Sequence, residues 1–148
     1  MKILTLILIG SLINLVPGWG TDFEKARQQA AKDHKLVLLN FSGSDWCSPC
    51  IRMHDEIFEK AAFQDFAVAQ LELVKADFPR LNKNALPKDQ QQLNEKLADK
   101  YNAKGIFPLT LLLDSEGKVL KSWEGFPKLT PEQFVQEIKN AGHVAAVN

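Results

Sequence analysis

The spacing of apolar positions changes several times along the chain, and each change marks an element. Phe23, Ala26, Ala30 and Ala31 recur at helical intervals. They predict a helix from about Asp22, with Thr21 and Glu24 as a capping box and polar residues 32–35 ending it. Residues 35–41 then form an apolar run that predicts a strand buried on both faces. A loop over residues 42–45 follows, and a helix after Trp46 has Pro49 in its first turn and Ile51, Ile57 and Phe58 inward. Residues 62–70 read as another helix, with Phe63, Phe66 and Ala67 inward. Residues 71–76 alternate as a strand. Two prolines and two asparagines make residues 78–87 a loop, an insertion with no evident task. A polar helix over 88–101 carries Leu93, Leu97 and Tyr101 as a core stripe, and residues 102–105 turn the chain. Strands at 109–113 and 118–123 flank a hairpin turn at 114–117, and Trp123 reads as core. Thr130, Pro131 and Gln133 start a helix that runs to about Ala141, with Phe134, Val135 and Ile138 inward and a frayed tail from Gly142. Strands separated by helices, then a final hairpin, predict an α/β fold with a mixed sheet.

The first twenty residues follow another pattern. Lys2 precedes an apolar stretch over residues 3–16, broken by Pro17 and Gly18, with Gly18 and Gly20 suited to a cut before Thr21. This predicts a signal peptide over 1–20, a domain over 21–148 and a periplasmic or secreted destination. A retained anchor is the other reading, but fourteen residues is short of the roughly 20 that span a bilayer. The whole chain of 148 residues has 18 basic and 18 acidic side chains, and removing Lys2 leaves a net charge of −1. Neither value draws the protein to nucleic acid. Two cysteines are too few for a disulfide scaffold, so the fold rests on its core.

Those cysteines lie in Trp46-Cys47-Ser48-Pro49-Cys50, where an apolar strand runs into a helix. A C-x-x-C pair delivered to a first helical turn suits thiol–disulfide chemistry, because free N–H groups and the helix dipole stabilise a thiolate at Cys47. Cys50 falls three residues on, on the same face. A structural disulfide this short constrains little chain. Haem attachment needs a histidine where Ile51 stands. Zinc needs two further ligands, and His54 alone does not supply them. No metal is therefore expected, nor any cofactor beyond the Cys47–Cys50 pair itself. His54, His34 and His143 read as surface residues, and Asp45 as a solvated loop acid.

The element order together with the C-x-x-C motif resembles the thioredoxin superfamily over about residues 21–141. That family has a central mixed sheet of four or five strands flanked by helices. Its second signature is a cis proline facing the cysteines, which Ile106-Phe107-Pro108-Leu109-Thr110 matches. Residues 40–46 are most similar to secreted bacterial thioredoxin-like proteins, including reductant-relay domains. The chain departs from the family at Asn40, which stands where thioredoxins carry a buried aspartate. An amide is no proton acceptor. Ser48-Pro49 replaces Gly-Pro, and Pro49 is shared with reducing members.

The resemblance implies a protein-disulfide oxidoreductase. Cys47 is expected as the exposed nucleophile that forms a mixed disulfide, and Cys50 as the more buried thiol that resolves it. Trp46 would shield the sulfurs, Phe107 and Pro108 would present backbone to an extended substrate, and Ser48, Pro49 and Asn40 would support the pair. The expected partners are protein substrates with disulfides or thiols and an upstream redox protein, a membrane-embedded one included, with the chain itself a monomer. A disulfide oxidase or isomerase, or a non-catalytic binding module on the same fold, are the alternatives. Copper-delivery relatives use C-x-x-x-C, which is not the spacing here.

Overall fold

The strand Leu36–Ser42 (β2) is the centre of the sheet because neither of its faces carries a charge, and Val37 to Phe41 are buried. The computed structural model describes residues 16–147, with side chains described through residue 143. In chain order the remaining elements are β1 (Trp19–Gly20), α1 (Phe23–Asp33), α2 (Ser48–Met53), α3 (Ala61–Gln70), β3 (Leu71–Asp77), α4 (Lys88–Tyr101), β4 (Leu109–Leu113), β5 (Val119–Glu124) and α5 (Pro131–Val147). The strands lie in the order β1-β3-β2-β4-β5. The pairs β1·β3 and β2·β3 are parallel, whereas β2·β4 and β4·β5 are antiparallel.

Side chains alternate across the sheet and give it two cores. Leu38, Leu73, Leu112 and Trp123 meet Met53, Phe58, Phe63, Phe134 and Ile138 from α2, the turn after it, α3 and α5. Val37, Leu39, Phe41, Val74 and Leu111 meet Phe23, Ala26 and Ala30 of α1, with Leu97 and Tyr101 of α4 against them. By the same alternation Asn40, Ser42, Lys75 and Thr110 belong to the α2 side. The register pairs Asn40 with Lys75 on one neighbouring strand and with Thr110 on the other.

Several expectations are corrected. Asp22, not Thr21, caps α1 by accepting from the Lys25 amide, and Ala31 is exposed. Ile51 is also exposed, and Met53 takes the inward position on α2. A π-helical turn, His54–Phe58, follows α2, and its extra residue per turn lets both Ile57 and Phe58 point inward. On α4 Leu93 is exposed and Asn94 is buried instead, because its side chain donates to the Asp77 carbonyl at the end of β3. Helix α5 runs past Ala141 to Val147, and a reciprocal Thr130–Gln133 cap starts it. Trp123 is buried and donates to Glu137.

The expected signal segment falls mostly on residues outside those described. Its last two residues, Trp19 and Gly20, form β1, and the Trp19 ring centroid lies 4.9 Å from that of Phe58. No helix among the described residues is long and apolar enough to cross a membrane.

Candidate active site

The end of β2 delivers the chain to a tight turn at Gly43. The amides of Trp46 and Cys47 both donate to the Gly43 carbonyl, and α2 begins at once. Cys47 is the N-cap of α2, and its sulfur accepts from the Cys50 amide at 3.3 Å. Pro49 lies in the first turn, where its missing N–H has no intrahelical partner to lose. Cys47 and Cys50 are joined in a disulfide with Cα atoms 5.2 Å apart. The Gly43 amide points at the Cys50 sulfur, 3.5 Å away.

The two cysteines are equally covered, at 4% and 5% exposed, so the expected contrast between an open Cys47 and a buried Cys50 is absent in the disulfide form. Each bonded sulfur shields the other. What separates them is electrostatics, since only Cys47 sits at the cap position facing the free N–H groups of the helix. Ser48 and Pro49 are exposed above the pair.

Underneath lies a neutral layer. Asn40, 3% exposed, donates to Thr110 Oγ1 at 2.9 Å, and the Thr110 hydroxyl faces Met53 Sδ at 3.8 Å. Pro108 is buried beside this layer and its bond to Phe107 is cis.

Above lies an aromatic and charged clamp. Trp46 packs edge-on against Phe107, and Phe107 against Phe78, each pair with centroids 5.5 Å apart. Trp46 Nε1 donates to the Phe78 carbonyl at 2.7 Å. The Arg80 guanidinium lies 3.7 Å over the Trp46 ring. Gly43 is required beneath that ring, because a Cβ there would come within 2.6 Å of Trp46 Nε1.

Asp45 is no free loop acid. It accepts from the amides of Arg80 and Leu81 and from the Asn84 side chain, at 2.9–3.0 Å. The Arg80 amide first, then Asn84 and Leu81, hold its carboxyl below the ordinary value near 3.8. Ser44 donates in the same manner to Asp77. Residues 78–87, left without a task by the sequence, thus form one wall of the site. Composition gave no sign of this, since neither Asp45 nor Arg80 belongs to a motif. His34 and His143 are exposed, away from the disulfide, and His54 is half-exposed beside α2.

Chemically, the arrangement supports reversible thiol–disulfide exchange: a cap-stabilised sulfur, a second sulfur three residues on, and an adjoining apolar wall.

The model of the thioredoxin-like domain matches residues 23–142. The disulfide bond reductase DsbH of Chlamydia pneumoniae is 38% identical over 119 residues, covering 80% of this chain and 69% of that protein. A solved structure described as DsbH oxidoreductase superposes with a TM-score of 0.76 at 36% identity, covering 86% of this chain and 85% of its own. A thioredoxin from Thermus thermophilus, at 15% identity, shares the fold with a TM-score of 0.62, covering 86% and 88% of the two chains. The sheet order, the Cys47–Cys50 disulfide at the start of α2 and these matches lead to one assignment: the chain belongs to the thioredoxin superfamily, as a thioredoxin-like domain protein.

Proposed function

We propose that this thiol–disulfide oxidoreductase works in the reducing direction on protein disulfides outside the cytoplasm. The observation that carries the reading is the Cys47–Cys50 disulfide at the N-cap of α2 in a chain 38% identical to a protein named a disulfide bond reductase. Reduced Cys47 attacks a substrate disulfide and forms a mixed disulfide. Cys50 then attacks Cys47, closes the intramolecular disulfide and releases the substrate as thiols. Trp46, next to Cys47 in the chain and packed against Phe107, would together with Phe107 and the cis Pro108 offer ring faces and backbone to an extended substrate segment. Ser48 and Pro49 shape the helix start, and Asn40 holds the layer beneath. Reduction is stoichiometric unless another redox protein resupplies two electrons per cycle, so such a partner belongs to the proposal.

Export over residues 1–20 belongs to the same proposal and is tested by sequencing the mature amino terminus. A cut after Gly20 would remove β1 and take Trp19 from its place beside Phe58.

The deciding experiment is equilibration of the Cys47–Cys50 pair in glutathione buffers, read by tryptophan fluorescence, beside insulin reduction. A potential near about −270 mV with catalysed insulin reduction supports a reductant, whereas one near about −120 mV means a disulfide donor. No turnover in either direction would favour the binding-module reading.

A further inference from the structure

Every resolving step needs a taker for the Cys50 proton, and the position directly beneath the disulfide offers none. Asn40 is an amide that donates to Thr110, and Thr110 in turn faces Met53. The Gly43 amide points at the Cys50 sulfur, 3.5 Å away, and is placed to donate to it.

The opening lies to the side. A cavity of about 190 Å³ is lined by Ser42, Ser44, Cys50, Ile51, His54 and Lys75. It has room for several waters. His54 stands four residues after Cys50, which places the two on one face of the helix, with Cβ atoms about 6 Å apart by helical geometry. The imidazole is held between two carboxylates: Nδ1 is 3.0 Å from Asp55 Oδ1 and Nε2 is 3.2 Å from Glu59 Oε1. A neutral ring can donate to only one of them and leaves the other nitrogen bare, whereas a protonated ring satisfies both.

We propose that His54, read from the sequence as a surface residue, is the proton acceptor for Cys50, acting through water in this cavity. The proposal rests on Cys47 being the sulfur that substrate occupies. In the step, the Cys50 thiol passes its proton to His54 and the thiolate attacks Cys47 Sγ. The Cys47–Cys50 bond forms, the Cys47–substrate bond breaks, and the departing thiolate is reprotonated from solvent or by the His54 imidazolium. The cysteine pair loses the two electrons that the substrate gains.

The other charged groups around the cavity have different tasks. Lys75, from β3, has an ammonium with no lone pair to receive a proton; it lies 5.8 Å from the Trp19 ring centroid and adds positive potential beside the sulfur. Asp77, also on β3, is engaged by Ser44. Arg52 and Glu56 pair with each other on the exposed side of α2. Helix α5 packs on the far side of the π-helical turn, through Phe58 and Phe134.

The test mixes reduced protein with excess glutathione disulfide in stopped flow and follows closure of the glutathione–Cys47 mixed disulfide from pH 5 to 9, by tryptophan fluorescence and acid-quenched mass spectrometry. For His54→Gln the first-order closure rate should fall roughly tenfold or more at pH 7. The rate in His54→Gln should go on rising toward alkaline pH where that of the wild type has levelled off, because the Cys50 thiol must then lose its proton to solvent. Added imidazole should restore part of the rate to His54→Ala. Alkylation of Cys47 in a Cys50→Ser background should be the same with and without His54→Gln, which separates proton transfer from loss of structure. A wild-type rate and pH profile in His54→Gln would overturn the proposal, as would a loss carried by Lys75→Met in its place. Exchange with glutathione proceeds whichever way electrons flow in the cell, so a failed reductase reading leaves this outcome readable.

Discussion

The two sides of the disulfide are built from opposite materials. Above it, Asp45 grips two backbone amides and an asparagine of the 78–87 loop, and Arg80 lies flat on Trp46. Below it, Asn40, Thr110 and Met53 form a layer with no formal charge. The difference follows from water. A carboxylate at the rim stays solvated and can organise a loop through charge-assisted hydrogen bonds. A carboxylate beneath the sulfurs would be desolvated, and its field would oppose a thiolate. The loop wall is thus positioned by charge, and the sulfurs are supported by neutral packing.

The largest effect is expected at the disulfide both sides share. Cys50→Ser should abolish catalytic turnover of insulin and leave substrate trapped on Cys47, seen by mass spectrometry as a mixed disulfide. Trapping by Cys47→Ser instead would exchange the two roles.

Next comes the neutral layer. Asn40→Asp places a carboxyl at a site 3% exposed, where burial raises its folded-state pKa above the unfolded value near 3.9. The folded state then holds its proton longer than the unfolded state does. The variant should match the wild type below about pH 4 and lose roughly 2–3 kcal/mol as pH rises toward 8. Urea titrations across that range measure it. A difference that ignores pH would mean Lys75, the cross-strand neighbour, has turned to pair with the new carboxylate.

Gly43→Ala probes the junction between the two sides. Its methyl group would intrude on the Trp46 ring and push Nε1 off the Phe78 carbonyl. A stability loss of about 1–3 kcal/mol is expected, with altered Trp46 fluorescence. An unchanged emission spectrum would show that the ring accommodates the methyl group in place.

The smallest effect is expected at the rim. Asp45→Asn should leave the global unfolding midpoint nearly unchanged while amide exchange at Arg80 and Leu81 rises. In the wild type the depressed Asp45 pKa means the clamp is fully formed above the unfolded value near 3.8 and is lost as pH falls through the lower folded value. Exchange at those two amides measured from pH 3 to 6 should show protection retained down to about pH 4. Loss of protection already at pH 6 would place the loop's anchor elsewhere.

Much of this molecule was legible because its signals are local. The Thr130–Gln133 cap, the 88–101 helix and the apolar strands at 36–42 and 109–113 announce themselves within a few residues. The Cys47–Cys50 pair is legible for the same reason, since its spacing alone brings the sulfurs together at a helix start. The misread positions depend on distant partners. Leu93 has the spacing of a core residue, yet Asn94 is buried because the Asp77 carbonyl, 17 positions away in sequence, needs a donor. Asp45 meets its amides 35 and 36 residues further on.

By itself, then, the sequence determined an α/β chain with a redox-capable cysteine pair at a helix cap. Helix and strand periodicity and a three-residue cysteine spacing are properties of short stretches of chain. Only the tertiary structure decided what surrounds those sulfurs: Asn40 against Thr110 below, residues 78–87 as a wall above, and His54 and Lys75 around the cavity beside Cys50. These neighbours come from separate strands and loops, and it is the parallel register of β2 with β3 that sets Lys75 and Asp77 beside the end of β2.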